Sequence, residues 1–341
     1  MKKKKIIIAV CAALAVVLLA LGAWTATQVW GRAWTGDEDV VVYVDDHATE
    51  ASIVEELRSR GLARPWGWRL LSRVTPFVVR TGHYVLPKDL RMVDVYRRLQ
   101  RGWQDPVHFT LPSVRTMDRL AGAVGRALML DSATVVRALQ DTAFVARYGW
   151  DAVSLPALFV PNTYEVWWDV SLDDWMQRMG KEHDTFWQQE GRSKRAADLG
   201  LTPTEVATLA SIVDEETAAD AEKPTIAGLY LNRLRRGMPL QADPTVKFAL
   251  ADAGRRRILT RDLTTESPYN TYLHAGLPPG PIRIATVAGI DAVLHAEEHT
   301  YLYMCAKEDF SGTHNFASSY SQHLANARRY ARALNERGIK R

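Results

Sequence analysis

The longest apolar run of the chain extends from Ile6 to Ala26 and contains no charged side chain. Its length matches the roughly 20 residues that a helix needs to cross the hydrocarbon core of a bilayer. Residues 2–5 are all lysine, and the acidic residues 37–39 follow the run. This charge asymmetry predicts a single-pass membrane anchor at 6–28, with a cytoplasmic tail at 1–5 and the body of the chain in the periplasm or another extracytoplasmic space.

A cleaved signal peptide is the alternative explanation of this run. The run is long for such a signal, and no convincing pair of small residues marks a cleavage site at its end. Trp24 and Trp30 lie where an anchor would leave the outer face of the membrane, and tryptophan is enriched at such interfaces. The sequence therefore favours an uncleaved anchor, followed by a short linker at 34–39.

Between residues 38 and 111, the spacing of the apolar positions changes repeatedly from that of a strand to that of a helix. Runs rich in β-branched and aromatic residues predict strands, and apolar residues three or four positions apart predict helices. The predicted elements are a strand at 40–44, helices at 49–60 and 65–71, a strand at 82–87, a helix at 92–99 and a strand at 107–111. Their order indicates a small α/β module.

The region 112–190 is predicted to be a helical linking region. Helices are expected at 116–128, from residue 131 or 132 to 139, and at 171–187. An aromatic segment at 158–168 reads L-F-V-P-N-T-Y-E-V-W-W. Its rings suit the floor of a sugar-binding groove or the packing of a core. Glu165 is an acid in this aromatic setting, which makes it a second candidate for acid–base chemistry.

A helix that begins at Thr202 carries the main candidate chemistry of the chain. Thr202 suits the N-cap, Pro203 suits the first helical position, and Glu205 completes a capping box with Thr202. The apolar residues that follow at helical spacing form one stripe, Val206, Leu209, Ala210 and Val213. Such a stripe predicts a helix packed against a core.

Three acidic residues end this helix, and the stripe distinguishes between them. Continuing the stripe by three or four positions leads to Glu216, because adjacent helix positions do not share a face. We therefore expect Glu216 to point into the interior or a cleft wall, and Asp214 and Glu215 to lie on a solvated face. Moving a carboxyl group out of water raises its pKa, which produces a general acid for work near neutral pH. From the residues alone, a solvated acidic face explains Glu216 equally well.

The remainder of the chain, 191–341, is predicted to be a mixed α+β region. A helix at 224–236 is followed by an irregular, proline-flanked loop that contains Gln241 and Asp243. A stiff proline-rich loop at 277–281 precedes a helix at 284–295. Strands at 301–306 and 312–316 are expected to form an antiparallel pair. The last helix carries His323, for which a structural role is favoured.

Charge and cysteine content narrow the classes of function. The four lysines at 2–5 account for the whole formal net charge of +4, so the rest of the chain carries as many acidic as basic side chains. A chain whose remaining basic and acidic residues are equal in number gives no indication, from its net charge, of binding to nucleic acid. Cys11 and Cys305 are the only cysteines, and Cys11 lies in the predicted span, so no internal disulfide is expected. No Cys/His cluster has the spacing of a metal site, and no cofactor is expected.

Several segments resemble the endolytic murein transglycosylases, the YceG-like family. The clearest is A-S-I-V-D-E-E-T at 210–217, which departs from the family's pattern by having Asp214 in place of its first Glu. Further segments that are similar are N-R-L at 232–234, G-M-P-L-Q-A-D-P-T-V at 237–246, S-P-Y-N-T-Y at 267–272 and G-L-P-P-G-P-I at 276–282. P-N-T-Y at 161–164, H-N-F at 314–316 and His323 also match, so the resemblance covers most of the chain from Tyr43 onward.

The resemblance implies a role for particular residues. Glu216 matches the family's catalytic glutamate, and it is also the residue that the helical stripe selects. The matching polar residues implied to bind substrate are Asn232, Arg233, Gln241, Asp243, Tyr269, Asn270 and His314. Three of these also have an ordinary structural explanation: Arg233 complements a helix dipole, Asp243 suits a turn before proline, and His314 suits a satisfied structural position. The segment 38–111 resembles a LysM-like module, which binds the N-acetyl sugars of glycan strands, although a simple spacer remains an alternative.

The sequence therefore predicts an α+β protein with a transmembrane helix, a LysM-like module and a mixed α+β catalytic domain with a helical catalytic segment. The function implied is that of a membrane-anchored lytic transglycosylase, which cleaves peptidoglycan within its glycan strands, leaves 1,6-anhydro-muramic ends and terminates nascent strands. Peptidoglycan strands, membrane lipid and peptidoglycan synthases are the expected partners. A muramidase-type hydrolase, with Glu165, Asp214 or Asp243 as second carboxylate, and a catalytically silent wall-binding scaffold are the alternatives.

Overall fold

The computed structural model describes residues 2–251 and 258–338. Met1, 252–257 and 339–341 lie outside the described residues. Met1 belongs to the predicted cytoplasmic tail, and the other two segments belong to the predicted domain 191–341. The chain divides into two compact units. The first unit extends to Phe109 and also includes Ala127–Met129 and Tyr164–Val170. The second unit comprises Thr110–Arg126, Leu130–Thr163 and the chain from Ser171 onward.

The elements up to residue 110 follow the predicted order. They are α1 (Lys2–Trp30), β1 (Val40–Val44), α2 (Glu50–Ser59), α3 (Pro65–Val74), β2 (Gly82–Leu86), α4 (Met92–Arg101) and β3 (Val107–Thr110). The strands β1 and β2 form an antiparallel pair in which Val42 lies opposite Tyr84. The core of this unit forms around Trp68, Tyr84 and Tyr96, which are almost completely buried.

The helix α1 is long and apolar enough to cross a membrane. The segment after it was predicted to be a linker, and this prediction is wrong for its first part. Ala33 and Trp34 are buried in the core of the first unit. The carbonyl of Ala33 accepts a hydrogen bond from the amide of Ala63, and Trp34 bridges to Leu62. The chain therefore joins the core of the first unit within three residues of the end of α1.

The elements after residue 110 are mainly helical. The helices are α5 (Met117–Ala127), α6 (Ser132–Gln140), α7 (Thr142–Ala146), α8 (Leu172–Gln188), α9 (Arg192–Asp198), α10 (Pro203–Glu216), α11 (Lys223–Arg235), α12 (Asp243–Ala249), α13 (Val287–Leu294) and α14 (Tyr320–Glu336). The strands are β4 (Thr163–Val166), which pairs with β3, and β5 (Tyr303–Ala306) and β6 (His314–Ala317), which form the predicted antiparallel pair. Short 3-10 helices occupy Leu155–Leu158, Gln189–Gly191, Asp220–Glu222 and Thr260–Thr264.

The helix α10 is the central element of the second unit. The predicted capping box is present: Thr202 accepts a hydrogen bond from the amide of Glu205, whose side chain accepts from the amide of Thr202. Every residue from Val206 to Val213 is buried, because α10 packs against α11, α12 and α13. The predicted apolar stripe is therefore part of a helix that is enclosed on nearly all sides.

One predicted loop is partly helical. Gln241 and Asp243 were expected to share an irregular loop, but Asp243 is the first residue of α12. Pro244, which was interpreted as a loop residue, suits the first turn of a helix, where no backbone amide is required. The consequence is that Asp243 is held at the beginning of a short helix rather than in a free loop.

Candidate active site

The side chain of Glu216 lies at the end of α10 and lines a cavity of about 570 Å³. Its Oε1 atom accepts a hydrogen bond from the hydroxyl of Tyr230, at 2.8 Å. Tyr230 lies on the neighbouring helix α11 and is 1% exposed. Burial raises the pKa of Tyr230 well above its usual range, so the phenol remains a proton donor at every physiological pH. The pair fixes the orientation of the Glu216 carboxyl group.

Burial raises the pKa of Glu216 from its ordinary value of 4.5 to about 7. This value is the net result of several effects, of which burial is the largest. The hydrogen bond from Tyr230 and the charge of Lys247 lower the pKa, and the charges of Asp243 and Glu215 raise it. A carboxyl group with a pKa near 7 is both protonated and ionised in substantial amounts at neutral pH. Glu216 therefore has the properties of a general acid that can also act as a base.

Asp243 lines the same cavity as Glu216. Its Oδ1 accepts a hydrogen bond of 2.6 Å from the hydroxyl of Tyr272, a further residue of the cavity wall. Asp243 was one of three candidates for a second carboxylate in the sequence, and the structure places it on the cavity that Glu216 lines. Asp243 is brought to the site by the turn that begins α12, and that turn was not recognised in the sequence.

Arg233 and Gln241 form a fixed polar wall of the cavity. The guanidinium of Arg233 is buried and donates to the carbonyls of Pro239 and Leu302 and to Oε1 of Gln241. Gln241 has a φ of 53°, a conformation that residues other than glycine rarely adopt. Such strain is found where the surrounding structure over-determines a residue, often at a functional site. Both residues present polar groups whose geometry is set before any ligand binds.

The segment 267–272 supports this wall from behind. The carbonyl of Thr271 accepts a hydrogen bond from the backbone amide of Gln241, and the hydroxyl of Thr271 accepts one from the backbone amide of Ala242. Asn270 is completely buried and donates to the carbonyls of Leu263 and Thr265. Asn270 is therefore placed to hold the loop, and it does not line the cavity.

Two other residues implied to bind substrate also point away from the cavity. The side-chain amide of Asn232 donates hydrogen bonds to the backbone carbonyls of His299 and Tyr301. The ring of Tyr269 packs against Phe248, with ring centroids 4.6 Å apart. Neither side chain lines the cavity, so their placement gives no support to a role in substrate binding.

His314 lies on the cavity wall, at the start of β6, and is oriented by a buried acid. Its backbone amide and its Nδ1 contact the two carboxylate oxygens of Glu222, at 2.7 and 2.9 Å. Glu222 was not singled out in the sequence, because its partner lies 92 residues away. The contact leaves Nε2 as the atom of His314 that is available to a ligand.

His323 also lines the cavity, although the sequence favoured a structural role for it. Its ring stacks on Tyr303, with centroids 5.5 Å apart. Its Nδ1 is buried and has no hydrogen-bond partner among the described residues. Burial and the nearby charge of Arg233 lower the pKa of His323, so the ring is neutral at pH 7 and above.

The two acids before Glu216 do not lie on a solvated face, so that expectation is wrong. Asp214 is 2% exposed and forms an ion pair of 2.8 Å with the buried Lys223, and it accepts two hydrogen bonds from Thr286. Glu215 forms ion pairs with Arg115 and Arg283. The reason is that α10 is enclosed by other elements, so that every face of its last turn meets a partner. Both carboxylates are occupied by structural contacts.

Glu165, the other candidate acid, belongs to the first unit and does not line the cavity. Its side chain is 67% exposed and lies 3.5 Å from His108. A carboxylate that remains in water lacks the enclosed setting that Glu216 has at the end of α10. Among the described residues, no group of three or more His, Cys, Asp or Glu side chains is arranged to hold a metal ion.

Comparison with known proteins gives one family match and several relatives. Residues 42–329 match the model of the YceG-like family. The endolytic murein transglycosylase of Bacillus subtilis (strain 168) is 34% identical over 169 residues, which are 50% of this chain and 46% of that protein. The endolytic murein transglycosylase of Streptococcus pneumoniae (strain ATCC BAA-255 / R6) is 28% identical over 261 residues, 67% of this chain and 46% of that protein.

The chain thus spans about half the length of the curated relatives that it matches. A crystal structure of a yceG-like protein from Listeria monocytogenes is also similar, with a TM-score of 0.52 and 23% identity. The match covers 85% of this chain and 99% of that one. At this level of identity, the similarity concerns the fold.

Proposed function

The chain belongs to the YceG-like family, and from this premise we propose that it is an endolytic lytic transglycosylase that acts on peptidoglycan. The observation that carries the proposal is the carboxyl group of Glu216, which is partly buried at the end of α10, lines an open cavity and has a pKa of about 7. The relatives named endolytic murein transglycosylase support the choice of substrate and reaction.

The proposed reaction uses Glu216 twice. As an acid, it protonates the glycosidic oxygen between N-acetylmuramic acid and N-acetylglucosamine, and that bond breaks. As the resulting carboxylate, it takes the proton of the muramic C6 hydroxyl, whose oxygen then bonds to the anomeric carbon. The products are a 1,6-anhydro-muramic end and a free glucosamine end, so no water is consumed.

Ring closure in this site has an entropic advantage. The C6 hydroxyl belongs to the same sugar as the anomeric carbon, and reactions within one molecule reach effective concentrations of roughly 10⁵–10⁸ M. A pKa near 7 suits the two roles, because neither protonation state of Glu216 is rare at neutral pH. Tyr230 keeps the carboxyl group in one orientation through both steps.

The rest of the cavity has the chemistry of a sugar-binding site. Tyr272, Tyr303 and Tyr320 provide aromatic surface, on which the apolar face of a sugar ring packs. Arg233 and His314 provide donors in fixed positions for hydroxyl and acetamido groups. Their fixed hydrogen bonds reduce the entropy that is lost when a glycan strand binds.

Hydrolysis of the same bond, as in a muramidase, is the second candidate function, because Asp243 lines the cavity with Glu216. Most glycosidases use two carboxylates, one as acid and one as base or nucleophile. Asp243 is held by Tyr272 at the start of α12. A water held by Asp243 would compete with the C6 hydroxyl and leave an ordinary reducing end.

The N-terminal part of the chain is proposed to set the location of the enzyme. The apolar helix α1 serves as a single-pass anchor in the cytoplasmic membrane, with Lys2–Lys5 in the cytoplasm and the remainder outside. The segment 38–111 is proposed to be a LysM-like module that binds glycan or holds the catalytic part, 191–341, away from the bilayer. Such a location fits an enzyme that terminates nascent strands beside peptidoglycan synthases.

A cleavage assay with the purified full chain tests the proposal. Wild type is expected to release soluble fragments from isolated peptidoglycan, and Glu216→Gln is expected to release none while retaining its fold. Glu298→Gln changes an exposed glutamate outside the cavity and serves as the matched control. Retention of cleavage by Glu216→Gln would contradict the assignment of the acid, and binding without cleavage by wild type would favour a silent scaffold.

A further inference from the structure

The segment 57–88 of the first unit has a composition unlike that of the rest of the chain. It contains six arginines and one lysine, at 58, 60, 64, 69, 73, 80 and 88, and no aspartate or glutamate. The remainder of the chain therefore carries the acidic residues that balance it. The helix α3 lies within this segment, and the proposed sugar chemistry makes no use of it.

One face of α3 and of the residues after it is exposed and combines apolar with basic side chains. Trp66, Val74 and Val78 are 52%, 83% and 47% exposed. Arg69 and Arg73 lie on the same face, three and seven positions after Trp66. The guanidinium of Arg69 lies 4.9 Å above the ring of Trp66, and neither arginine has an ion-pair partner among the described residues.

The position of α3 is fixed against the end of α1. The rings of Trp66 and Trp24 contact each other edge to face, with centroids 6.2 Å apart. The backbone of Gly67 lies so close to α1 that an added Cβ would be 2.1 Å from the carbonyl oxygen of Gln28. The side chain of Arg64 donates to the carbonyl of Arg32, just past the end of α1.

The anchor helix determines the depth of this contact. Twenty residues of helix, rising about 1.5 Å each, extend over the roughly 30 Å of the hydrocarbon core. With Ile6 at the inner boundary of the core, Trp24 lies at the outer one. Trp66 is in contact with Trp24 and therefore lies in the same layer, that of the lipid headgroups. Tryptophan and arginine are the side chains that suit this layer.

We propose that the exposed face of α3 binds the outer surface of the membrane that α1 crosses. Trp66 and Val74 enter the boundary between headgroups and acyl chains, and Arg69 and Arg73 bind the phosphates of anionic phospholipids. The first unit is then attached to the bilayer at two places and cannot swing freely about the anchor. This inference rests on the membrane anchor proposed above, and on no property of the catalytic cavity.

Spin labels on the full chain in vesicles test the proposal. All variants carry Cys305→Ala, and the vesicles contain phosphatidylcholine and phosphatidylglycerol. One variant is labelled at its own Cys11 in α1, and two others combine Cys11→Ala with either Val74→Cys or Glu55→Cys. Glu55 is on α2, with its side chain 76% exposed, and is the matched control in the same unit. The accessibility of each label to oxygen and to a water-soluble nickel chelate reports its depth.

The labels at residues 11 and 74 are expected to be several-fold more accessible to oxygen than to the nickel chelate, and the label at 55 is expected to show the reverse. The label at 74 should also lie deeper with phosphatidylglycerol than with phosphatidylcholine alone, and Arg69→Gln with Arg73→Gln should remove that difference. An equal depth in both lipids would overturn the role given to the two arginines.

The two underlying proposals fail in different ways. If the chain does not float with vesicles and the label at 11 is exposed to the chelate, the anchor itself is disproved, and the docking of α3 with it. If the label at 11 is in lipid and the label at 74 is exposed to the chelate, only the docking of α3 is disproved. Protection of the label at 74 by an added anionic wall polymer, but not by lipid, would assign the same face to the polymer and overturn the lipid proposal.

Discussion

The hydroxyl of Tyr230 donates a hydrogen bond of 2.8 Å to the carboxyl group of Glu216, and both side chains belong to the packed helices α10 and α11. Burial and this hydrogen bond act on the pKa of Glu216 in opposite directions. Burial in this helix pair raises the pKa, and the phenol lowers it because it stabilises the ionised carboxylate. The balance is a pKa of about 7, which is what the proposed double role requires.

Tyr230→Phe should raise the pKa of Glu216, because the hydrogen bond to the ionised form is lost. A hydrogen bond to a charged group is worth about 1.5–3 kcal/mol, so the pKa should shift by roughly one to two pH units. The general acid must be protonated, so the alkaline limb of the pH profile of kcat/KM should move upward. An unchanged limb in Tyr230→Phe would show that Glu216 is not the group that titrates in that limb.

Asp243→Asn should move the same limb in the opposite direction. The charge of Asp243 raises the pKa of Glu216, and its removal therefore lowers that pKa. Asn keeps the shape of the side chain and an oxygen that accepts from Tyr272, so the cavity should be preserved. The pH profile of kcat/KM, measured beside that of Tyr230→Phe, provides the check, and a shift of both variants in one direction would contradict the electrostatic account.

Glu216→Gln should stabilise the protein at neutral and alkaline pH. The folded-state pKa of about 7 lies above the ordinary value of 4.5, so this group's stabilising contribution is present below pH 4.5 and is lost as the pH rises to 7. Gln does not ionise, so its advantage should grow over that window, to at most about 3 kcal/mol above pH 7. The free energy of urea unfolding of both proteins at pH 5 and pH 8 measures this advantage. An advantage that does not grow with pH would contradict the raised pKa of Glu216.

Asp214→Asn should destabilise the second unit rather than leave it unaffected. Breaking a buried ion pair by removing one charge costs roughly 3–5 kcal/mol, and the buried Lys223 would keep only its pair with the exposed Asp220, so we expect a cost near the lower end of that range. Asp198→Asn, which disrupts an exposed pair with Lys194, is the control and should cost less than about 1 kcal/mol. Equal urea midpoints for the two variants would argue against a structural role of Asp214.

Local sequence signals predicted much of the fold. The strands β1, β2, β5 and β6 and the helices α2, α4, α8 and α10 follow from apolar spacing and capping residues that are neighbours in the chain. The capping box of Thr202 and Glu205 is an example, since all of its atoms lie within three residues of each other. The stripe on α10 also led to Glu216 as the acid turned towards the interior.

Contacts between distant parts of the chain were not predictable in this way. Glu215 is held by Arg115, 100 residues away, and by Arg283, 68 residues away, so nothing beside it in the sequence indicated that it would be buried. Tyr230 and Tyr272 have no local feature that distinguishes a cavity residue from a core residue. The short helix α12, which brings Asp243 to the cavity, has only seven residues and too few apolar positions to show a period.

The end groups of digested peptidoglycan distinguish ring closure from hydrolysis. The purified full chain is incubated with isolated peptidoglycan, and the released muropeptides are analysed by mass spectrometry. We expect internal fragments of strands that carry 1,6-anhydro-muramic ends, each lighter by one water than the reducing form, and no such fragments from Glu216→Gln. Reducing muramic ends as the main product would contradict ring closure and favour hydrolysis, in which Asp243 is the candidate for the residue that activates water.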